Sequence, residues 1–195
     1  MSETGIIGIS GKMGSGKDTL ADLIISKDPE YKKVSFASKL KKMGAFLTGT
    51  SIELWFTQEG KNVYLDDWGM TIGEFQQKLG TDAIRLGLHE NAWVLALFAD
   101  YKAGDKWIIT DVRFPNEADA VSRHGGTLIR LAGDPGKVRA NSTRDLNHIS
   151  ETALDNYQGF DLTYENTLGM VALGDFADRK STRLNSSHSQ QSRMP

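Results

Sequence analysis

Residues 11–19 read G-K-M-G-S-G-K-D-T and follow directly on the apolar run 5–10, G-I-I-G-I-S. A short apolar strand, a glycine-rich turn and a helix are the context in which the pattern G-x-x-x-x-G-K forms a phosphate-binding loop. The three glycines of the loop are predicted to take positive φ, so that backbone N–H groups approach phosphate oxygens. Lys17 supplies a mobile positive charge, and the N-terminus of the next helix points at the same anion. The pattern predicts a site for a nucleoside triphosphate.

One position departs from the usual loop. Asp18 stands where Ser or Thr commonly ligates Mg²⁺, so it is a candidate for assisting the metal, and Thr19 is a candidate for a phosphate hydrogen bond. The residues predicted to contact the triphosphate are Gly11, Gly14, Ser15, Gly16, Lys17, Asp18 and Thr19.

The composition is that of an ordinary globular chain: of 195 residues, 39% are hydrophobic and 25% are charged, with a formal net charge of −2. This acidic balance argues against a general nucleic-acid binder, and no apolar stretch approaches the ~18 residues of a membrane span. The absence of cysteine excludes disulfides and thiolate metal sites. We therefore predict a cytoplasmic protein whose partners are small molecules, with neither a nucleic-acid nor a membrane partner.

Strand-like and helix-like segments alternate along the chain. Compact apolar runs at 33–37, 106–111, 127–131 and 160–164 follow the first strand, with helical patterns between them. Such alternation predicts an α/β fold with a parallel sheet of about five strands and helices on both faces.

A helix is predicted from Thr71 onward. Before it, residues 48–70 are rich in aromatic side chains and predict either a satellite core or a surface for base stacking. The apolar stripe expected at helical spacing consists of Phe75, Leu79, Ala83 and Leu86.

Asp111 closes the apolar strand 106–111, as the acid of a second nucleotide-binding motif does. In α/β sheets the ligand lies at the carboxyl ends of the strands, so Asp111 is a candidate for holding Mg²⁺, through water. The alternative is a strand-terminal Asp that caps the following turn.

Four segments occur in an order that resembles one kinase family. They are the loop at 11–19, Q-K-L-G-T-D-A-I-R at 77–85, T-D-V-R-F-P-N-E at 110–117 and H-I-S-E at 148–151. Over about residues 5–170 the chain is similar to the deoxynucleoside monophosphate kinases of tailed phages, which belong to the P-loop nucleoside monophosphate kinases. D-V-R-F-P-N-E together with L-G-T-D-x-x-R is the specific part, and S-G-K-D-T is a usual form of the loop in that family.

The resemblance implies a P-loop NTPase fold in one domain, residues 1–177, with a helical acceptor-binding insertion at about 36–100 and a lid at about 133–150. It implies transfer of the γ-phosphoryl group of ATP, with Mg²⁺, to a (deoxy)nucleoside 5′-monophosphate. The expected location is the cytoplasm of a bacterial host or phage-infected cell, and a homodimer is left open.

Basic side chains are the candidates for holding the acceptor. Arg85 is either a clamp on the acceptor monophosphate or part of a surface ion-pair set with Lys78 and Asp82, which share a helix face at spacings i, i+4 and i+7. Arg113 is placed to reach the same phosphate, or is a solvated loop arginine. Lys39 resembles the entry to the acceptor site, or is an exposed lysine.

Arg139 and Arg144 fall in the expected lid. Closure of a lid brings arginines onto the transferring phosphates and excludes water, which suppresses hydrolysis. The resemblance therefore makes both catalytic candidates beside Lys17, Asp111 and Arg113, and a flexible loop with scattered charge is the alternative.

Two other functions fit part of the pattern. Phosphomevalonate kinases have a similar loop and a similar S-E…L-D-N…F-D stretch, which residues 150–161 match. A nucleotide-dependent regulatory module is expected to carry N-K-x-D after a strand, and the sequence lacks it. D-V-R-F-P-N-E favours the nucleotide kinase.

Residues 178–195 differ from the rest of the chain in being polar and rich in serine. Residues 178–188 match, one for one, the translation of one frame of a common sequencing-library adapter, and 192–195 match its continuation. We interpret 178–195 as disordered adapter read-through outside the kinase domain.

Overall fold

The computed structural model describes residues 5–12, 14–133 and 149–166, apart from the side chains of Ser150 and Glu151. Arg139, Arg144 and the segment 178–195 lie outside the described residues. Within the described ranges, no helix combines the length and the apolar character that crossing a membrane requires.

A parallel sheet forms the centre of the fold. The strands are β1 (Ile6–Gly11), β2 (Lys32–Val34), β3 (Tyr64–Leu65), β4 (Met70–Thr71), β5 (Trp107–Ile109), β6 (Thr127–Ala132) and β7 (Leu162–Glu165). Five of them pair in the order β2-β5-β1-β6-β7, all parallel, while β3 and β4 form a separate antiparallel pair. The expected α/β fold with five parallel strands is confirmed.

Helices follow the strands and cover the sheet. They are α1 (Lys17–Lys27), α2 (Ala37–Thr48), α3 (Ile52–Phe56), α4 (Ile72–Gln77), α5 (Ala92–Phe98), α6 (Pro115–Arg123) and α7 (Ile149–Thr152). A π-helical segment, Lys78–Leu86, continues α4 without a break.

Strand β1 has hydrophobic clusters on both of its faces because successive side chains alternate across a strand. Ile7 and Ile9 pack with Leu20 of α1 on one face. Ile6 packs with Trp93 of α5 and with residues of α6 on the other. Burial on both faces explains why the strand reads as a continuous apolar run.

The aromatic segment 48–70 contributes a third, smaller cluster. Trp55 is fully buried there, and its ring meets the ring of Phe75 edge-on at a centroid distance of 5.6 Å. Phe56 and Tyr64, by contrast, stay about half exposed. Of the two interpretations of this segment, the satellite core holds for Trp55.

The helix predicted from Thr71 is confirmed at its start but its apolar stripe is wrong beyond Leu79. Ala83 and Leu86 are exposed. The hydrogen bonds of a π-helix run from i to i+5 and widen each turn, so α-helical spacing no longer predicts which side chains share a face. The residues buried instead are Gly80, Thr81 and Arg85.

Candidate active site

The phosphate-binding loop connects β1 to α1 as its sequence predicts. Gly14 and Gly16 have positive φ, 79° and 93°. Gly11 is not among the positive-φ glycines, so that part of the prediction is wrong. A glycine is required at position 11 because there is no room for a side chain: a Cβ there would lie 2.5 Å from Ser15 Oγ and 2.6 Å from the Leu131 carbonyl oxygen.

Lys17 lies over the loop that precedes it. Its Nζ donates to the carbonyl oxygens of Gly11 and Lys12 at 2.7 and 2.8 Å. Gly16, the residue before α1, offers no side-chain cap to the first turn of that helix. The loop thus combines an ammonium group with helix N–H groups that no side-chain cap engages, an arrangement that fits an anionic phosphate.

Asp18 and Thr19 lie in the first turn of α1. The Asp18 side chain is 77% exposed, and its carboxylate is 3.7 Å from Lys33 Nζ, which pairs more closely with Asp22 at 2.7 Å. Thr19 is half-buried. The Asp18 carboxylate is therefore accessible to solvent in the first turn of the helix.

Two contacts from the far edge of the sheet fix the loop in place. Asn166, buried at the end of β7, donates from Nδ2 to the carbonyl oxygen of Ser15 at 3.0 Å. Asp155 accepts from Lys12 Nζ at 2.7 Å and pairs with Arg130 at 3.1 Å. The loop geometry thus depends on residues about 150 positions away in sequence.

Asp111 ties the end of β5 to the start of α2. Its two carboxylate oxygens accept from the backbone N–H groups of Phe36 and Ala37, each at 2.9 Å. Burial raises the pKa of Asp111 against the lowering effect of these hydrogen bonds and of the nearby Arg113. Asp111 is therefore a capping residue, which was the alternative to metal binding, but it caps the start of α2 rather than the turn after β5.

A cleft opens beside the phosphate loop, where β2 and β5 end. It lies between α2, the junction of α4 with the π-helical segment, and the connection from β5 to α6, and its empty volume is about 580 Å³ including the open mouth. Both arginines predicted for the acceptor site line it. The charged lining residues are Arg85, Asp111, Arg113 and Glu117.

Arg85 is buried, with 7% of its side chain exposed, so the surface ion-pair interpretation is wrong. Its Nη2 donates to Glu117 Oε1 at 2.5 Å, and its Nη1 donates to Asn116 Oδ1 and to the Glu90 carbonyl oxygen. The guanidinium lies 3.8 Å from the centroid of the Phe114 ring. The expected partners Lys78 and Asp82 are exposed, because π-helical winding turns them away from Arg85.

Several residues of the segment D-V-R-F-P-N-E contact the Arg85 side chain and hold it in place. Phe114 provides the stacking face, Asn116 and Glu117 accept its hydrogen bonds, and Pro115 begins α6. The second oxygen of Glu117 accepts from the backbone N–H groups of Arg113 and Phe114 at 2.8 and 3.2 Å. One buried carboxylate thus positions the Arg85 side chain and the backbone at Arg113.

The environment of Glu117 raises its pKa to about 7. Burial is the main cause and the Asp111 carboxylate adds to it, while Arg85 and the two backbone N–H groups act in the opposite direction. The ionised form of this carboxylate therefore depends on the Arg85 guanidinium beside it.

Lys39 does not line the cleft. Its Nζ donates to the Ala96 carbonyl oxygen and pairs with Asp100 at 2.9 Å, which joins α2 to the C-terminal end of α5. The structure brings Arg85, Arg113 and Asp111 together and leaves Lys39 outside that group.

A protein of Acanthamoeba polyphaga mimivirus described as "Putative deoxynucleotide monophosphate kinase" is 34% identical to this chain over 176 residues, 83% of this chain and 88% of that protein. This chain belongs to the deoxynucleotide monophosphate kinase family. No family model matches it.

Glu117 and Gln77 line the cleft but were not singled out from the sequence, although both lie in segments that carry the family resemblance. Glu117 is the last residue of D-V-R-F-P-N-E, and Gln77 is the first of Q-K-L-G-T-D-A-I-R. A buried acid near a buried arginine cannot be inferred from local spacing. The presence of Glu117 in the more specific segment was the available signal.

Proposed function

We propose that this kinase transfers the γ-phosphoryl group of ATP to a (deoxy)nucleoside 5′-monophosphate, giving ADP and a (deoxy)nucleoside diphosphate. The observation that carries this proposal is the position of an arginine-lined cleft next to the phosphate loop. The loop follows β1, whereas Asp111 and Arg113 of the cleft follow β5, and these two strands are neighbours in the sheet. Donor and acceptor phosphates bound at the two places meet over one edge of the sheet.

Phosphoryl transfer requires an in-line geometry and positive charge more than covalent help from the protein. Lys17 exchanges its two carbonyl acceptors for phosphate oxygens of ATP. Arg85 and Arg113 hold the acceptor phosphate in line with them. In the proposal Arg139 and Arg144 complete the cationic shell when the lid closes and exclude water.

Mg²⁺ is part of the proposal because the oxygen donors suit it. This ion is commonly held by one or two carboxylates together with substrate phosphates and water. Asp18 offers an exposed carboxylate, and each Asp111 oxygen keeps a lone pair beyond its single N–H contact. Among the described residues no three acids or histidines cluster as a metal site. When bound, the ion neutralises charge on the phosphates.

The rival phosphomevalonate-type acceptor rests on residues that have scaffold contacts in this chain. Leu154 is buried in the main core, Asp155 pairs with Lys12 and Arg130, and Asp161 Oδ2 accepts from the Leu128 N–H at 2.7 Å. These contacts support the sheet and the phosphate loop and carry no information about the acceptor. The similarity at 150–161 therefore does not favour that substrate.

A regulatory nucleotide-binding module is disfavoured by the cleft itself. Such a module needs no second site with two arginines and apolar walls beside its phosphate loop. The phage-type subgroup, the homodimer and the cytoplasmic location remain predictions from the sequence.

The proposal is tested with ATP labelled in its γ-phosphate and a panel of acceptors, the products being separated by thin-layer chromatography. Label should move to deoxynucleoside monophosphates, giving diphosphates, and not to phosphomevalonate or to water. Transfer to phosphomevalonate alone would establish the rival, and ATP hydrolysis that ignores every monophosphate would refute a kinase. Lys17→Ala should abolish transfer, with Lys27→Ala, at the exposed far end of α1, as the matched control.

A further inference from the structure

The Arg85 guanidinium keeps one buried donor for a ligand. Its two Nη atoms donate to Glu117, to Asn116 and to the Glu90 carbonyl oxygen, whereas Nε is buried with no acceptor among the described residues. Arg85 lines the cleft and is buried to more than nine-tenths, so an unpaired Nε costs free energy. A phosphate oxygen that pairs with Nε would share the guanidinium with the Glu117 carboxylate.

The charges that the described residues bring to this part of the cleft balance one another. Arg85 of the π-helical segment and Arg113 of the connection after β5 are positive, and Asp111 and Glu117 are negative. Lys41 of α2 adds a more distant positive charge that acts on Asp111. The second pKa of a phosphate monoester is about 6, so at neutral pH an acceptor adds almost two negative charges. Charge in a poorly solvated cleft is costly, and a proton would relieve the excess.

Glu117 is the group best placed to take up that proton. Both Asp111 oxygens accept from backbone N–H groups at 2.9 Å, and these bonds hold its ionised form. The two Glu117 oxygens differ: Oε2 accepts from the N–H groups of Arg113 and Phe114, whereas Oε1 accepts from Arg85. A phosphate on Arg85 Nε weakens the pairing at Oε1 alone. Burial raises the pKa of Glu117 to about 7, which brings this change into the neutral range.

We propose that Glu117 is a positioning residue that takes up one proton from solvent when the acceptor phosphate engages Arg85; this rests on the proposed function. The proton binds Oε1, and Oε2 keeps its backbone hydrogen bonds, so the chain at Arg113 stays in place. The Arg85 side chain is still held by Asn116 and by the Glu90 carbonyl oxygen. Its positive charge then acts on the phosphate rather than on the carboxylate.

Isothermal titration calorimetry at pH 7.5 counts the protons, because HEPES and Tris differ in their heats of ionisation. Each of dTMP, dGMP, dCMP and dAMP is titrated, and the tightest binder is then used throughout. About three-quarters of Glu117 is ionised at this pH, so the wild type should take up roughly 0.3–0.8 proton per nucleotide. Glu117→Gln cannot bind the proton and should show an uptake near zero. Asp82→Asn removes an exposed acid of the same π-helical segment and should keep the wild-type count.

The pH dependence of binding gives a second readout. Wild-type affinity should fall roughly three- to tenfold between pH 7 and pH 8.5, a range in which the free nucleotide stays a dianion. The affinity of Glu117→Gln should stay nearly constant over that range. The methyl ester of the same nucleotide carries a single negative charge on its phosphate, so the wild type should take up fewer protons with it.

A purely structural role of Glu117 would change the affinity in Glu117→Gln but not the proton count. The inference is therefore overturned if the wild type takes up no proton, or if Glu117→Gln takes up as many as the wild type. If thermal unfolding shows that Glu117→Gln does not fold, carbon-13 NMR of the wild type decides, since the pKa of the Glu117 carboxyl should rise when nucleotide binds. Binding without proton uptake refutes this inference alone, whereas failure to bind any of the four monophosphates also refutes the proposed function.

Discussion

Replacing Arg85 by methionine is predicted to destabilise the protein strongly. The guanidinium lies 2.5 Å from Glu117 Oε1, with only 7% and 4% of the two side chains exposed. Methionine fills much of the volume of the arginine stem but leaves the carboxylate buried without its cation. Removing one partner of a buried ion pair costs about 3–5 kcal/mol in the free energy of unfolding.

This loss should increase with pH. The pKa of Glu117 is raised from 4.5 to about 7, so folding favours the protonated carboxyl group. The stability that this preference contributes is fully present below pH 4.5 and is lost as the pH rises through 7. This shift in pKa corresponds to about 3 kcal/mol in the free energy of unfolding, at about 1.4 kcal/mol for each pKa unit. Without Arg85 the folded pKa rises further, so the variant keeps losing stability above pH 7, where the wild type has reached its plateau.

Urea unfolding at about pH 5.5 and about pH 8.5 measures this difference in stability. Arg123→Met, at an exposed position at the end of α6, is the matched control. The double variant with Glu117→Gln should regain most of the stability, because the amide oxygen still accepts from the N–H groups of Arg113 and Phe114 without a buried charge. Its KM for the monophosphate should stay raised at least ~10-fold, since the clamp is absent. Equal losses at both pH values, or a wild-type KM in the double variant, would refute the reasoning.

Lys17→Ala should abolish phosphoryl transfer with little change in melting temperature, as comparison of initial rates with thermal unfolding will show. Asn166→Ala leaves the Ser15 carbonyl without its buried donor, so it should cost about 1–3 kcal/mol and raise the KM for ATP but not for the monophosphate. Arg144→Ala should lower kcat more than it changes either nucleotide affinity in steady-state kinetics; unchanged kcat would count against a lid arginine. Truncation after residue 177 should alter neither the melting temperature nor the kinase rate, and a large fall in either would contradict the adapter interpretation.

The parts of the fold that local sequence controls could be predicted. Gly14 and Gly16 take positive φ because the turn from a strand into a helix N-terminus requires it, and the buried strands read as apolar runs. Gly11 shows the limit of this reasoning. Its requirement comes from the Leu131 carbonyl oxygen on the neighbouring strand, which no local pattern reveals.

The arrangement of the cleft depends on contacts between distant segments and could not be predicted in the same way. Arg85 was predicted to be a site residue and lines the cleft, but its burial follows from π-helical winding and from acceptors about 30 residues further along the chain. Asp111 was selected as the acid at a strand end, yet it caps a helix 74 residues earlier. The strand pattern singled out Asp111 and the family resemblance singled out Arg85, and only the tertiary structure shows what each one contacts.

The central claim is that the cleft beside the phosphate loop holds the acceptor monophosphate. A crystal structure with a bisubstrate analogue, two nucleosides joined by an oligophosphate, tests it most directly. We predict that one end follows the loop with Lys17 on its phosphates, while the other end lies in the cleft and places a phosphate oxygen within hydrogen-bond distance of Arg85 Nε, a buried donor that has no partner among the described residues. A second nucleoside bound outside this cleft, with Arg85 Nε still lacking an acceptor, would contradict the account.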